Sequence, residues 1–392
     1  MAFETRPEWV PASHLYLTPH STNSLSALGL GDFSQGGGKQ VTLTALSRVC
    51  QAAAQAAARL VREMREELVS EDGRVAAKAH KSSAVDPVTA VDLASERFLQ
   101  HFLLTALPDS SLLGEEEGKT VNLRLLAGND EWDPNHPGVS AGRRINSSDG
   151  IAVEEGLHTP SGKEIASSGF EDGTNHDGAD VTEGGSESVT EDRIVWVVDP
   201  IDGTVNFMYG QPDCAVSIAA TVNGVPVAAA VAQVPTGTTY IAQVGGPARR
   251  IAETAGADDK DQFLKAPSAT ELASSLVATG FGYVAAQRRV QAHVLTQLLP
   301  RVRDIRRAGS AALDLCHLAE GIVDAYYEHG LGPWDYAAGS LIAVRSGVEL
   351  ILPSLDCDKA QQMLVAGAKG EVLPKLLQVL GEAGAGVTLA SN

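Results

Sequence analysis

The sequence predicts an α/β protein whose helices and strands are layered rather than doubly wound. Three observations carry this expectation. Residues 41–68 repeat apolar side chains at helical spacing; "AVSIAATVNGVPVAAAVAQV" alternates into a hairpin; and from residue 194 onward apolar strands and helices interleave without a strict βαβ beat. A chain of 392 residues can bury a large core, as two lobes or as one domain with extensions.

Taken in order, residues 1–38 are rich in Ser, Gly, Pro and Thr and read as a flexible N-terminal arm. Its end, "GLGDFSQGGGKQ", is not a phosphate-binding loop, because that motif needs glycine at Phe33 and Ser or Thr at Gln40. One long helix follows to Leu68. "KSSAVDPVTAVDLASERFLQHFL" runs from an extended segment into a helix with Asp92 near its start and Phe98, Leu99 and Phe102 on its buried side. "SSLLGEEEG" reads as a short strand ending at Gly114 and three glutamates. From about 128 to 192 acidic and small polar residues dominate and periodicity vanishes, so this stretch reads as a disordered or weakly ordered acidic insertion. Order resumes at Ile194 with a strand over Val195–Val198; Asn223-Gly224 then supplies the positive φ angles of a two-residue hairpin turn. "GSAALDLCHLAEG" is a helix capped by Ser310 and closed by Gly321, "IVDAYYE" a strand, and "WDYAAGSLIAVRSG" a helix opening at Asp335.

The formal net charge of −19 argues against a phosphate-neutralising grip on nucleic acid or an anionic membrane surface. No run of about 18 apolar residues appears, and the first 30 residues lack the basic start and apolar centre of a secretory signal, so a cytoplasmic protein is expected. The four cysteines form no CxxC pair and read as buried reduced thiols.

"WVVDPIDGTVNF" places Asp199 directly after an apolar strand, and Pro200 ends the ladder so that Asp202 turns back toward it. Two like charges held together favour a cation between them, and hard oxygen ligands suit Mg²⁺. Spacing alone leaves a second reading open, in which Asp199 and Asp202 cap the following helix. Asp92 and Asp335 have the same bland reading as N-caps, and Glu115 to Glu117 as solvated loop acids.

Jointly, "DPVTAVDLASE", "LLGEE", "WVVDPIDGTVNF" and "PWDYAAGSLI" resemble, in order and context, the inositol monophosphatase family of Mg²⁺-dependent, lithium-sensitive phosphatases. The resemblance covers about 41–120 and 194–354. Through "ATGFGY", "RVRDIRRAGSAALDLC" and "DAYYEHGLGPWD" it is nearest to bacterial inositol-1-monophosphatases. It implies a layered αβαβα sandwich of the inositol monophosphatase and fructose-1,6-bisphosphatase type, a catalytic domain over 39–392, and commonly a homodimer.

The resemblance also implies roles. Glu115, Asp199 and the carbonyl of Ile201 would hold one Mg²⁺, and Asp199, Asp202 and Asp335 a second, with room for a third, weaker ion near Glu115. Thr204 and Asp92 would orient and deprotonate a water. Gly203 and Thr204 begin a helix whose amides, together with Ile201, Asp202 and Asp335, would receive the substrate's phosphate. Gly309, Ser310, Ala311 and Glu328 would surround the polyol, with Arg306 either a nearby anchor or a surface ion pair. Lys81 falls at the active-site mouth in the family but reads here as a solvated surface residue. The chain departs from the family at Arg345, Ser346 and Val348, where relatives usually carry Glu-Ala-Gly-Gly; this bears on a turn, not on metal ligands. The implied reaction is hydrolysis of a small phosphate monoester, myo-inositol 1-phosphate first. Histidinol-phosphate, 3'-phosphoadenosine 5'-phosphate and fructose 1,6-bisphosphate are the alternatives, and a non-catalytic regulatory protein on the same fold is a further one.

Overall fold

A computed structural model of the chain describes residues 7–8, 10, 14–25, 28, 40–81, 87–116, 118, 120–122, 157–158, 164–165, 187–253, 261–268, 271–356 and 361–389. Most of the acidic stretch at 128–192 therefore lies outside the described residues, as do residues 1–6 and 29–38 of the N-terminal arm.

In chain order, strand β1 (His14–Leu17) precedes helices α1 (Leu43–Leu68) and α2 (Ala90–Ala106). Strands β2 (Ser111–Gly114), β3 (Thr120–Asn122) and β4 (Ile194–Asp202) lead to the short helix α3 (Thr204–Tyr209). A meander follows: β5 (Ala215–Val222), β6 (Val225–Gln233), β7 (Thr239–Gln243), β8 (Arg249–Ile251) and β9 (Gln262–Phe263). The last third comprises β10 (Leu276–Thr279), α4 (Ala285–Leu298), β11 (Asp304–Arg306), α5 (Ala311–Glu320), β12 (Ala325–His329), α6 (Pro333–Arg345), β13 (Glu349–Pro353), β14 (Leu364–Ala368) and α7 (Val372–Glu382).

An eight-stranded sheet has the order β9-β8-β7-β6-β5-β4-β2-β3, antiparallel except where β2 runs parallel to β4. A six-stranded sheet has the order β1-β13-β14-β12-β10-β11, with β10 parallel to both β11 and β12. Every residue of β5 is buried, and β6 is buried throughout its interior, so both faces of the first sheet are covered. Helix α1 packs on β5, β6 and β7; α6 packs on the same strands and also on β13, while α5 touches β12. Helix α7 closes the far side of the second sheet. The layers are thus αβαβα. Alanines make the first interface close: Ala53, Ala54 and Ala57 of α1 and Ala219, Ala220 and Ala228–Ala230 of the sheet are all fully buried.

The hairpin between β5 and β6 turns on Asn223 (φ 51°) and Gly224 (φ 74°), the pair of positive angles a two-residue turn requires. Thr42 caps α1 through Ala45 N–H, and Ser310 caps α5 through Leu313 N–H, each satisfying an orphan amide.

Three local expectations are corrected. β4 does not stop at Val198. It continues through Pro200 to Asp202, because a register shift between Asp199 and Asp202 lets the ladder with β5 resume at Ala215 past the residue that lacks a donor. The N-terminal segment is not simply an arm. β1 pairs antiparallel with β13, His14 opposite Pro353, while Leu17 and Leu25 are buried and Leu25 N–H bonds the Glu187 carboxylate. Order also returns before Ile194, since Ser188–Thr190 pairs with Gln40–Thr42. Among the described residues no helix is long and apolar enough to cross a membrane.

Candidate active site

The C-terminal end of β4, the end of β2 and the starts of α2, α3, α5 and α6 bring acidic residues together. Carboxylate oxygens of Glu115, Asp199 and Asp335 all lie within 4.8 Å of one another, with Asp199 and Asp335 buried. Glu115 is placed by its own N–H, which bonds Val198 O across the parallel β2–β4 pair at 3.2 Å. Asp199 Oδ1 accepts from Ile201 N–H at 3.0 Å, so the bulge that follows the strand also fixes its carboxylate. Asp335 occupies the third position of α6, behind Pro333, and its Oδ2 accepts from Gly332 N–H at 2.6 Å.

Asp202 is held differently. Its Oδ2 accepts from Ser310 Oγ at 2.6 Å and from Ala312 N–H at 2.8 Å, which ties the end of β4 to the first turn of α5. Burial, and then the negative charge of Asp335, raise its pKa. Asp199 is pushed well above the usual carboxylate range by burial first and then by Glu115, Asp202 and Asp335. Like charges this close and this buried disfavour one another's ionised forms, and an opposite charge among them would favour those forms.

Asp92 and Thr204, far apart in sequence, meet here: Thr204 Oγ1 lies 3.1 Å from Asp92 Oδ1 and 3.1 Å from Ile201 O. The other oxygen of Asp92 closes a capping box with Thr89, accepting its N–H at 2.8 Å and its hydroxyl. Burial raises the Asp92 carboxyl to about 6; the bonds from Thr89 oppose the rise and Glu115 adds to it.

Gly203 has φ 88°, and a Cβ there would come 2.6 Å from Asp213 O, so only glycine fits between β4 and α3. Gly309 (φ 104°) lies beside it, held where Asn206 Nδ2 donates to Ala308 O at 2.9 Å. Ala311 opens α5. Glu328 accepts from Tyr326 Oη at 2.9 Å and covers Gly280, where a Cβ would sit 2.2 Å from the carboxylate.

Arg306 was expected as a nearby anchor or as a surface ion pair. Its Nη1 pairs with Asp304 at 2.7 Å with both side chains more than half exposed, as the surface-pair reading expects. Lys81, read as a solvated surface residue, is instead 2.8 Å from both Glu115 and Glu116; it directly follows Ala79–His80, which pairs antiparallel with Pro87–Val88. The two glutamates raise its pKa against the desolvation of a largely buried ammonium. Glu96 and Asn206 also escaped sequence reasoning. Glu96, one helical turn after Asp92, is buried and its Oε2 accepts from Glu116 N–H at 2.9 Å, joining α2 to the end of β2. Its i+4 spacing from Asp92 was the available signal.

The sequence model of the inositol monophosphatase family matches residues 43–139 and 147–384. The chain is 38% identical over 309 residues, 79% of itself and 82% of the relative, to the inositol-1-monophosphatase SuhB of Mycobacterium tuberculosis (strain H37Rv). It is also 38% identical to the Nus factor SuhB of Salmonella typhimurium (strain LT2), over 173 residues that make up 43% of the chain and 60% of that protein. Among solved structures, Mycobacterium tuberculosis SuhB superposes with a TM-score of 0.59 at 32% identity, covering 88% of this chain and 98% of that one. Sequence and fold agree over most of the chain, which belongs to the inositol monophosphatase family of metal-dependent phosphatases.

Proposed function

We propose that the protein hydrolyses small phosphate monoesters, with myo-inositol 1-phosphate preferred. The observation that carries this reading is the convergence of Glu115, Asp199 and Asp335 beside the Asp92–Thr204 pair. The donor set fits Mg²⁺: all hard oxygens, with Asp199 and Asp335 buried, mutually repelling and held by backbone N–H groups, and Glu115 half-buried with Lys81 as its cationic partner. Glu115, Asp199 and Ile201 O would hold one ion and Asp199, Asp202 and Asp335 another, with a third, weaker one near Glu115. When bound, such ions acidify a water and neutralise charge on the attacking and leaving oxygens.

The chain's own residues supply the rest. Thr204 Oγ1 orients the attacking water, and Asp92, ionised at neutral pH yet basic enough at about 6, accepts its proton. The bare Gly203 backbone lets the phosphate approach the amides that open α3. Ser310 and Ala312 fix Asp202 through one oxygen, leaving the other for the site. Glu328, braced by Tyr326, is placed to accept hydrogen bonds from the hydroxyls of a polyol.

A panel of phosphate esters assayed with Mg²⁺ tests the substrate. The expected result is the highest kcat/KM for inositol 1-phosphate; a preference of tenfold or more, roughly 1.4 kcal/mol, for histidinol phosphate, a 3'-phosphonucleotide or fructose 1,6-bisphosphate overturns the preference. The reading includes inhibition by millimolar Li⁺ and a homodimer; sedimentation at assay concentration checks the second. The family's Nus-factor members make a regulatory protein the rival reading. An intact Asp92–Thr204 pair favours catalysis, because binding a partner has no need of a water-activating couple.

A further inference from the structure

Away from the catalytic residues, the N-terminal segment, β9 and the C-terminal end of α6 enclose an open cleft of about 550 Å³, a size typical of small-molecule sites. His20, Asn23, Phe263, Lys265, Arg345 and Gly347 line it, and among the described residues no carboxylate does. In a chain of net charge −19 that is a local reversal of sign.

Arg345 is its centre. Its Nε donates to Gly246 O at 2.6 Å, and its Nη1 contacts Pro19 O, Thr22 O, Thr22 Oγ1 and Asn23 Oδ1 at 2.9–3.2 Å. All of these acceptors are neutral. Burial lowers the guanidinium's pKa, and its bonds among the described residues all run through Nε and Nη1, which leaves Nη2 without one. Lys369, whose Nζ donates to Ala266 O at 2.6 Å, adds a cation beside Gly347, where a Cβ would lie 3.4 Å from it. Phe263 is 68% exposed and offers an unused ring face at the same cleft.

We propose that this cleft binds an aromatic organic phosphate of the nucleoside monophosphate class, its phosphate on Arg345 and Lys265 and its ring on Phe263. With Nε and Nη1 of Arg345 taken up by the protein, it is the remaining Nη2 beside Lys265 that suits a phosphate oxygen, and an exposed aromatic face suits a flat heterocycle. Helix α6 carries Arg345 in its last turn and Asp335 in its first, about 15 Å apart along the axis, so the ligand and the catalytic carboxylate share one rigid element.

The test is calorimetric titration of AMP into the full chain in EDTA, which removes metal-dependent capture of phosphate at the catalytic residues. Wild type and Asp199→Asn are expected to bind one AMP with equal, millimolar or tighter affinity. Lys265→Glu is expected to weaken it at least tenfold, Phe263→Ala at least threefold, and inorganic phosphate to bind at least tenfold more weakly than AMP. Unchanged unfolding temperatures for both cleft variants, with Lys265→Gln as a milder companion, separate binding from folding. No binding at about 10 mM AMP, affinity undiminished in Lys265→Glu, loss in Asp199→Asn, or phosphate matching AMP while Phe263→Ala is silent each overturns the proposal.

Discussion

Asp92 divides its two oxygens between structure and chemistry: one completes the cap of α2 with Thr89, the other faces Thr204. Asparagine can keep the first task but cannot take a proton. Asp92→Asn is therefore expected to lower kcat by about 10²- to 10⁴-fold while Mg²⁺ affinity, followed by calorimetry, changes little. Turnover equal to wild type would remove Asp92 from the mechanism. At this scale the acidic motifs were legible because each stands at an abrupt boundary, an apolar strand end or a helix start. What the sequence could not reveal were the partners those residues acquire by folding. Lys81 meets Glu115 and Glu116 across more than 30 residues of chain, and Asp202 gives one oxygen to Ser310 and Ala312 only because α5 starts against β4. The exposed pair of Arg306 with Asp304 is likewise a neighbour that folding supplies.

At the scale of elements, the helices and the β5–β6 hairpin were legible from periodicity and from Asn223-Gly224, both local signals. β1 was not. A four-residue strand in a Ser-, Pro- and Thr-rich stretch carries no pattern of its own, and its order comes from β13 near the other end of the chain. The same stretch is held by Arg345, which bonds three carbonyls, Pro19, Thr22 and Gly246, through Nε and Nη1. Arg345→Met, which keeps the stem and removes the donors, is expected to cost about 1.5–3 kcal/mol and to speed amide exchange in residues 14–25. Urea unfolding and hydrogen exchange check this, and an unchanged midpoint with unchanged protection would show that the N-terminal segment is held by β-pairing alone. Pro200 taught the converse lesson: a proline ends a ladder only where no bulge lets the pairing step over it.

For the whole molecule, two buried populations respond to pH in opposite senses. His329, bonded to Ala385 O and near His14, is lowered by burial to about 4. The folded state thus favours neutral imidazole, the unfolded chain takes up the proton first, and this share of stability, at most about 3 kcal/mol, is full above about pH 6.5 and lost as pH falls toward 4. His329→Gln is expected to flatten that acid limb in thermal melts; an unaltered slope would contradict the assignment. The raised carboxylates, Asp92 and Glu116 at about 6 with Asp199 and Asp202 raised alongside them, run the other way: unfolded they ionise near 4, so the metal-free protein loses stability as pH climbs through 6. Divalent cations need the ionised forms and should reverse this loss. The gain in Tm from Mg²⁺ over EDTA is accordingly expected to grow from pH 5 to pH 8, and a gain that is flat or shrinking would mean that the ions bind elsewhere.

The most direct measurement is phosphate release from inositol 1-phosphate as a function of Mg²⁺ concentration, for the wild type and for a folded Asp199→Asn variant. The carboxylate cluster predicts no release in EDTA, saturable activation by Mg²⁺, and a loss of at least about a thousandfold in the variant. Release that survives chelation, or an Asp199→Asn protein that turns over like the wild type, would contradict it.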